Sequence, residues 1–121
     1  MKTILPVEDL ELNLDLLTQL LEDDYNLLVA RDGAQGVDFA AQYQPNLVLM
    51  DIAMPVMDGY EAARRIRQAH PALPIIGISS HAMTGDAEKA CAAGCTGYLT
   101  KPINEDQLFA LLRQHLGETA P

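Results

Sequence analysis

Four apolar stretches of this chain end in side chains that could together hold a cation and an anion. Glu8-Asp9 follows Thr3–Val7, Asp51 follows Leu47–Met50, Ser79-Ser80 follows Ile75–Ile78, and Lys101-Pro102 follows Tyr98–Thr100. Three carboxylates brought to one place repel each other, and no apolar packing explains their presence. A hard cation resolves the conflict, and Mg²⁺ suits it, since it takes one or two carboxylates together with waters and phosphate oxygens. Lys101 adds a positive point charge for an anion, and Ser79 adds a hydroxyl donor. Carboxylate nucleophile, metal, ammonium and hydroxyl form the inventory of phosphoryl transfer. Any one of these acids alone reads more simply as a solvated loop residue. It is the ordered set that carries the chemistry.

The elements that must position these groups alternate along the chain. Strands are expected at Thr3–Val7, Asn26–Ala30, Leu47–Met50, Ile75–Ile78 and Tyr98–Thr100, and helices at Leu12–Glu22, Ala34–Gln42, Gly59–Ala69, Asp86–Ala93 and Asp106–Leu116. Such alternation predicts an α/β fold with a parallel sheet. Runs such as Leu47-Val48-Leu49-Met50 carry no polar alternation, as expected of strands covered on both faces. In open α/β sheets ligand sites form beyond the carboxyl ends of the strands, and right-handed crossovers bring those ends to one edge. Local chemistry marks several boundaries. Asn104 with Gln107 reads as a helix N-cap and its partner, and Asp32-Gly33 as a turn before the second helix. Pro71 and Pro74 bracket the entry to the fourth strand, where a helix could not continue. Pro6 conflicts with its strand, because proline cannot donate to a sheet ladder; one missing bond or a local bulge is expected there.

With 121 residues the chain has room for one domain, taken as 1–121. Its 49% hydrophobic and 21% charged residues are ordinary for a globular protein. The net charge of −9 argues against direct nucleic-acid binding, and Arg64, Arg65 and Arg67 read as a solvated helix face. No apolar run is long enough to span a membrane, and no signal-peptide pattern is seen, so a cytoplasmic protein is expected. Cys91 and Cys95 are expected to be small core or half-buried thiols, with Gly94 ending the helix between them.

Ile4-Leu5-Pro6-Val7-Glu8-Asp9 with Asn13, then Leu47-Val48-Leu49-Met50-Asp51-Ile52-Ala53-Met54-Pro55-Val56-Met57-Asp58-Gly59, resembles the CheY-like response-regulator receiver family. Ile75-Ile76-Gly77-Ile78-Ser79-Ser80-His81-Ala82-Met83 and Gly97-Tyr98-Leu99-Thr100-Lys101-Pro102 match the last two motifs of that family. The resemblance implies a doubly wound, flavodoxin-like sheet of five parallel strands in order 2-1-3-4-5, flanked by five helices. It implies that Asp51 is the phosphoacceptor, and that Asp9 and Asp51 bind Mg²⁺ directly with the backbone carbonyl of Ala53. Glu8 would assist through a metal-bound water or a hydrogen bond. Lys101 would pair with phosphoryl oxygens, its bond to Pro102 being cis. Ser79 would be the hydroxyl drawn toward the phosphoryl group, and Tyr98 the aromatic switch. Partners would be a histidine kinase or histidine phosphotransfer domain, and a downstream protein target. The chain would be a switch rather than an enzyme, catalysing only its own phosphorylation and dephosphorylation.

Pro6 and Ser80 depart from the usual pattern, and Ala53 and His81 flank the expected path of attacking water. A haloacid-dehalogenase-type hydrolase would need a second aspartate at position 53, where Ala53 stands. A receiver-fold interaction module that is never phosphorylated is the other alternative. The first helix carries Leu10, Leu12, Leu14, Leu16, Leu17, Leu20 and Leu21, more than one core stripe requires. Leu10 and Leu14 are expected near the phosphorylation edge, on the flank away from Leu12, where either all these leucines are buried or those two form an exposed contact for a helical, histidine-bearing partner.

Overall fold

A computed structural model describes residues 2–52, 59–79 and 86–116. In chain order the elements are β1 (Thr3–Val7), α1 (Glu11–Leu21), β2 (Asn26–Leu27), α2 (Gly33–Tyr43) and β3 (Leu47–Asp51), then α3 (Gly59–Ala69), β4 (Ile75–Ser79), α4 (Asp86–Ala92), β5 (Gly97–Thr100) and α5 (Glu105–Leu116). The strands form one parallel sheet in the order β2-β1-β3-β4-β5, the flavodoxin-like arrangement.

The two-residue period of a strand divides the core. Ile4, Leu47, Leu49, Ile76 and Ile78 face one side, where they meet Leu17 and Leu21 of α1 and Leu108 and Leu112 of α5. Leu5, Val48, Met50 and Ile75 face the other, against Ala40 of α2, Ala62, Ala63 and Ile66 of α3, and Ala90 of α4. Small alanines on the second side let α2, α3 and α4 lie close to the sheet. Each fully buried Leu or Ile contributes about 1.5–3 kcal/mol relative to exposure. This double cover explains why β3 is apolar without a break until Asp51.

Pro6 sits within β1, and β1 keeps its full length of Thr3–Val7. On the β3 side pairing is continuous from Ile4↔Leu47 to Val7↔Met50. The missing donor falls on the β2 side, where the Ile4 and Pro6 carbonyls accept from Leu28 N and Ala30 N at 3.0 Å each. The Pro6 nitrogen would have to donate between those two bonds. Its inability to do so ends β2 at Leu27, and pairing resumes as an isolated bridge, Val7↔Ala30. The expected strand Asn26–Ala30 is therefore split, for the reason that Pro6 supplies.

Helix ends follow their local chemistry. Asp32 is the N-cap of α2, its Oδ1 accepting from Gln35 N at 2.8 Å, so Gly33 is already helical. Asn104 Oδ1 accepts from Gln107 N at 3.0 Å and opens α5. The C-cap of α2, Gln44, takes the left-handed conformation (φ 50°) that glycine adopts more cheaply.

The leucines of α1 sort differently from expectation. Leu14, Leu17 and Leu21 point inward, and Leu14 is only 4% exposed. Leu12 (84%) and Leu16 (41%) form the outer ridge, four residues apart, with Leu10 (56%) at the N-cap. Of the pair Leu10 and Leu14, the exposure expected of a partner contact holds for Leu10 and is corrected for Leu14. Leu14 lies three residues before Leu17 and seven before Leu21, which places it on the core stripe.

Candidate functional site

The ends of β1, β3, β4 and β5 converge at the carboxyl edge of the sheet. Asp51 is the last residue of β3 and is 3% exposed, and Ser79 is the last of β4 at 5%. Glu8 follows β1 at 2% exposure, and Asp9 beside it is half-buried. Backbone bonds fix these ends. Glu8 N donates to Ala30 O (3.0 Å), Ile52 N to Ile78 O (2.9 Å), and Lys101 N to Ser79 O (2.7 Å). The Lys101–Pro102 peptide is cis.

One oxygen from each of Glu8, Asp9 and Asp51 lies within 4.8 Å of the others. Lys101 Nζ donates to Glu8 Oε1 at 2.9 Å and stands 3.5 Å from Asp51 Oδ2. Glu8 Oε2 accepts from Leu10 N at 3.3 Å, so this buried acid also serves the N-terminus of α1, whose N-cap Leu10 has no side chain to do so. Burial pushes the Glu8 carboxyl up. The hydrogen bond with Asp51, the Lys101 ammonium and the Leu10 N–H outweigh that and hold it below its ordinary range.

The donor set is all oxygen and mostly charged, which suits a hard divalent cation and offers nothing to a soft one. Ser79 reaches the same edge from β4. Tyr98 lies on β5, the edge strand, packed against the α4 side of the core, and its buried hydroxyl has no hydrogen-bond partner among the described residues. Ala53, Ser80 and His81 lie outside the described residues.

Gly59 carries no chemistry of its own, yet the site depends on its shape. Its N–H donates to Ile52 O at 2.8 Å, and a β-carbon there would stand 2.4 Å from the Asp51 carbonyl oxygen. Only a residue without a side chain lets α3 begin so close to the end of β3. The signal available in the sequence was the Asp58-Gly59 pair, which reads as a turn and says nothing of this contact.

The chain matches the family model described as the response regulator receiver domain over residues 4–113. It is 32% identical over 120 residues to the polar-differentiation response regulator DivK of Brucella anthropi, covering 97% of this chain and 98% of that protein. Among solved structures it is similar to the receiver domain of a sensor histidine kinase from Pseudomonas aeruginosa, with a TM-score of 0.88 and 34% identity. That match covers 97% of this chain and 98% of the other, which holds a magnesium ion in its active-site cleft. A CheY-like receiver protein from Methanospirillum hungatei superposes with a TM-score of 0.90 at 28% identity, over 97% of this chain and 94% of that one.

Proposed function

This chain belongs to the response regulator receiver domain family of two-component signalling, and we propose how its own residues carry out the phosphoacceptor role. The observation that carries the reading is the meeting of the Glu8, Asp9 and Asp51 oxygens within 4.8 Å, with Lys101 Nζ 3.5 Å from Asp51. Asp51 is the phosphoacceptor. One of its carboxylate oxygens attacks the phosphorus of a phosphohistidine on a histidine kinase or phosphotransfer partner, and the P–N bond to the imidazole breaks.

Asp9 and Asp51, with the Ala53 carbonyl, would hold Mg²⁺, and Glu8 would act on it indirectly. When bound, the ion offsets charge on the phosphoryl oxygens. Lys101, tethered by Glu8 beside Asp51, supplies the second positive charge to those oxygens. Ser79 donates its hydroxyl to the phosphoryl group, and the resulting shift at the end of β4 is relayed to Tyr98 on the neighbouring strand. Activity of the chain is confined to its own phosphorylation and dephosphorylation. The phosphorylated face then acts on a downstream protein target.

Intact mass after incubation with acetyl phosphate and Mg²⁺ tests this directly. The wild type gains one phosphoryl group, and Asp51→Asn gains none. A wild type that stays unmodified, while folded, would make the chain an interaction module instead.

A further inference from the structure

Away from the acidic hollow, two thiols line one cavity of about 120 Å³ together with Ala87, Ala90 and Tyr98. Cys91 is exposed on the last turn of α4, and Cys95 is buried just beyond the helix. The backbone folds back between them. Gly94, at φ 108°, donates its N–H to Cys91 O at 3.0 Å, and Cys95 N donates to Ala90 O at 2.9 Å. This is the paired-bond glycine cap of a helix C-terminus, which returns the residue after the glycine onto the final turn. The Cys95 sulfur then lies over the middle of β4, where a β-carbon on Gly77 would meet it at 3.4 Å.

We propose that Cys91 and Cys95 form a reversible disulfide, a modification site at the α4–β5 corner separate from the phosphoacceptor site. The exposed thiol meets the oxidant first. With hydrogen peroxide, the Cys91 thiolate attacks one oxygen, the O–O bond breaks, hydroxide leaves, and Cys91 becomes a sulfenic acid. Cys95 sulfur then attacks the Cys91 sulfur and the S–O bond breaks. The departing hydroxide takes the Cys95 proton as water. Overall the two thiols lose two electrons and two protons, and the peroxide becomes two waters. Burial pushes the Cys95 thiol up to about 11, so it enters the second step protonated.

Cys91 and Cys95 line the same cavity, and the bridge would form across it. Bridging would draw the Cys95 sulfur away from the space over Gly77, two residues before Ser79. The bridge therefore loosens β4 from the side of α4, without touching any carboxylate.

The full chain is treated with hydrogen peroxide, then blocked with a thiol alkylator and weighed intact. The expected product is a monomer lighter by two hydrogens, mapped to a Cys91–Cys95 peptide and restored by dithiothreitol. Cys91→Ser should not form it, and Cys95→Ser should stop at a sulfenic acid trapped by dimedone. Conversion of Cys91 to sulfinic acid or to intermolecular disulfides, with Cys95 still alkylatable after denaturation, would overturn the proposal. Amide exchange over residues 75–79 should quicken in the bridged form. Unchanged exchange there would overturn its effect on β4.

Discussion

The Lys101 ammonium stands closer to Glu8, at 2.9 Å, than to Asp51, at 3.5 Å. Glu8 is 2% exposed, and this pair gives a buried carboxylate the partner it needs. The same contact holds the lysine beside Asp51. Lys101 is ion-paired with two of the three clustered acids, Glu8 and Asp51, and the three carboxylates outnumber that one ammonium.

That excess sets the first prediction. Mg²⁺ should raise the melting temperature, because a ligand that binds only the folded state stabilises it by about 2.7 kcal/mol at a hundredfold excess over Kd. Asp9→Ala should abolish most of the rise and leave the Lys101–Glu8 pair in place. Scanning calorimetry with and without the ion reads both. An equal rise in the variant would remove Asp9 from the metal site.

Gly59→Ala should destabilise the fold by roughly 1–3 kcal/mol, the usual range for forced overpacking. Its β-carbon would meet backbone atoms of Asp51 and Ile52 at 2.4 and 2.5 Å, and neither can yield as a side-chain tip would. Gly77→Ala is the control, since its nearest neighbour is the Ile52 side-chain end at 3.2 Å. Urea midpoints should fall further for Gly59→Ala, and its phosphoryl uptake should fall with them. Equal midpoints would show that α3 can draw back at no cost.

The outer ridge of α1 should matter to the phosphohistidine partner alone. Leu12→Asp and Leu16→Ser alter exposed positions, so stability should change by no more than about 0.5 kcal/mol. Transfer from a phosphorylated kinase or phosphotransfer domain should slow about tenfold, an energy of about 1.4 kcal/mol, while labelling by acetyl phosphate is unchanged. Loss of both would point to the fold rather than to docking.

Cys95 should make the folded state sensitive to alkali. Its thiol is raised from 9.0 to about 11, chiefly by burial, with a smaller opposing pull from Arg67. A group raised in the folded state contributes its stabilisation fully below the unfolded value and loses it as pH climbs through the folded one. Relative to Cys95→Ala, the wild type should therefore lose about 2 kcal/mol as pH rises from 9 to 11. Denaturant midpoints across that window measure it. Parallel curves would mean that the thiol ionises freely.

Much of this was legible before any coordinates. The alternation of apolar runs with amphipathic stretches placed all ten elements, because a strand covered on both faces can tolerate only apolar residues until it ends. Asp51, Ser79, Glu8 and Lys101 could be grouped for the same reason, since each is a polar residue at the point where such a run stops. Pro6 is legible as a conflict in the sequence, but its outcome depends on which neighbour its nitrogen faces. That is fixed by sheet order, and so the cost fell on β2 and spared β3.

The chain alone determined the parallel α/β alternation and which groups stand at the strand ends, because hydrophobic periodicity and turn chemistry act over a few residues and leave a local trace. Tertiary structure alone decided that Lys101 grips Glu8, that Gly59 must lack a side chain beside Asp51, and that Leu12 rather than Leu14 faces outward. Those facts arise from contacts between residues far apart in sequence, or from the rotation of a helix on its sheet. Distances of that kind exist only once the layers have packed.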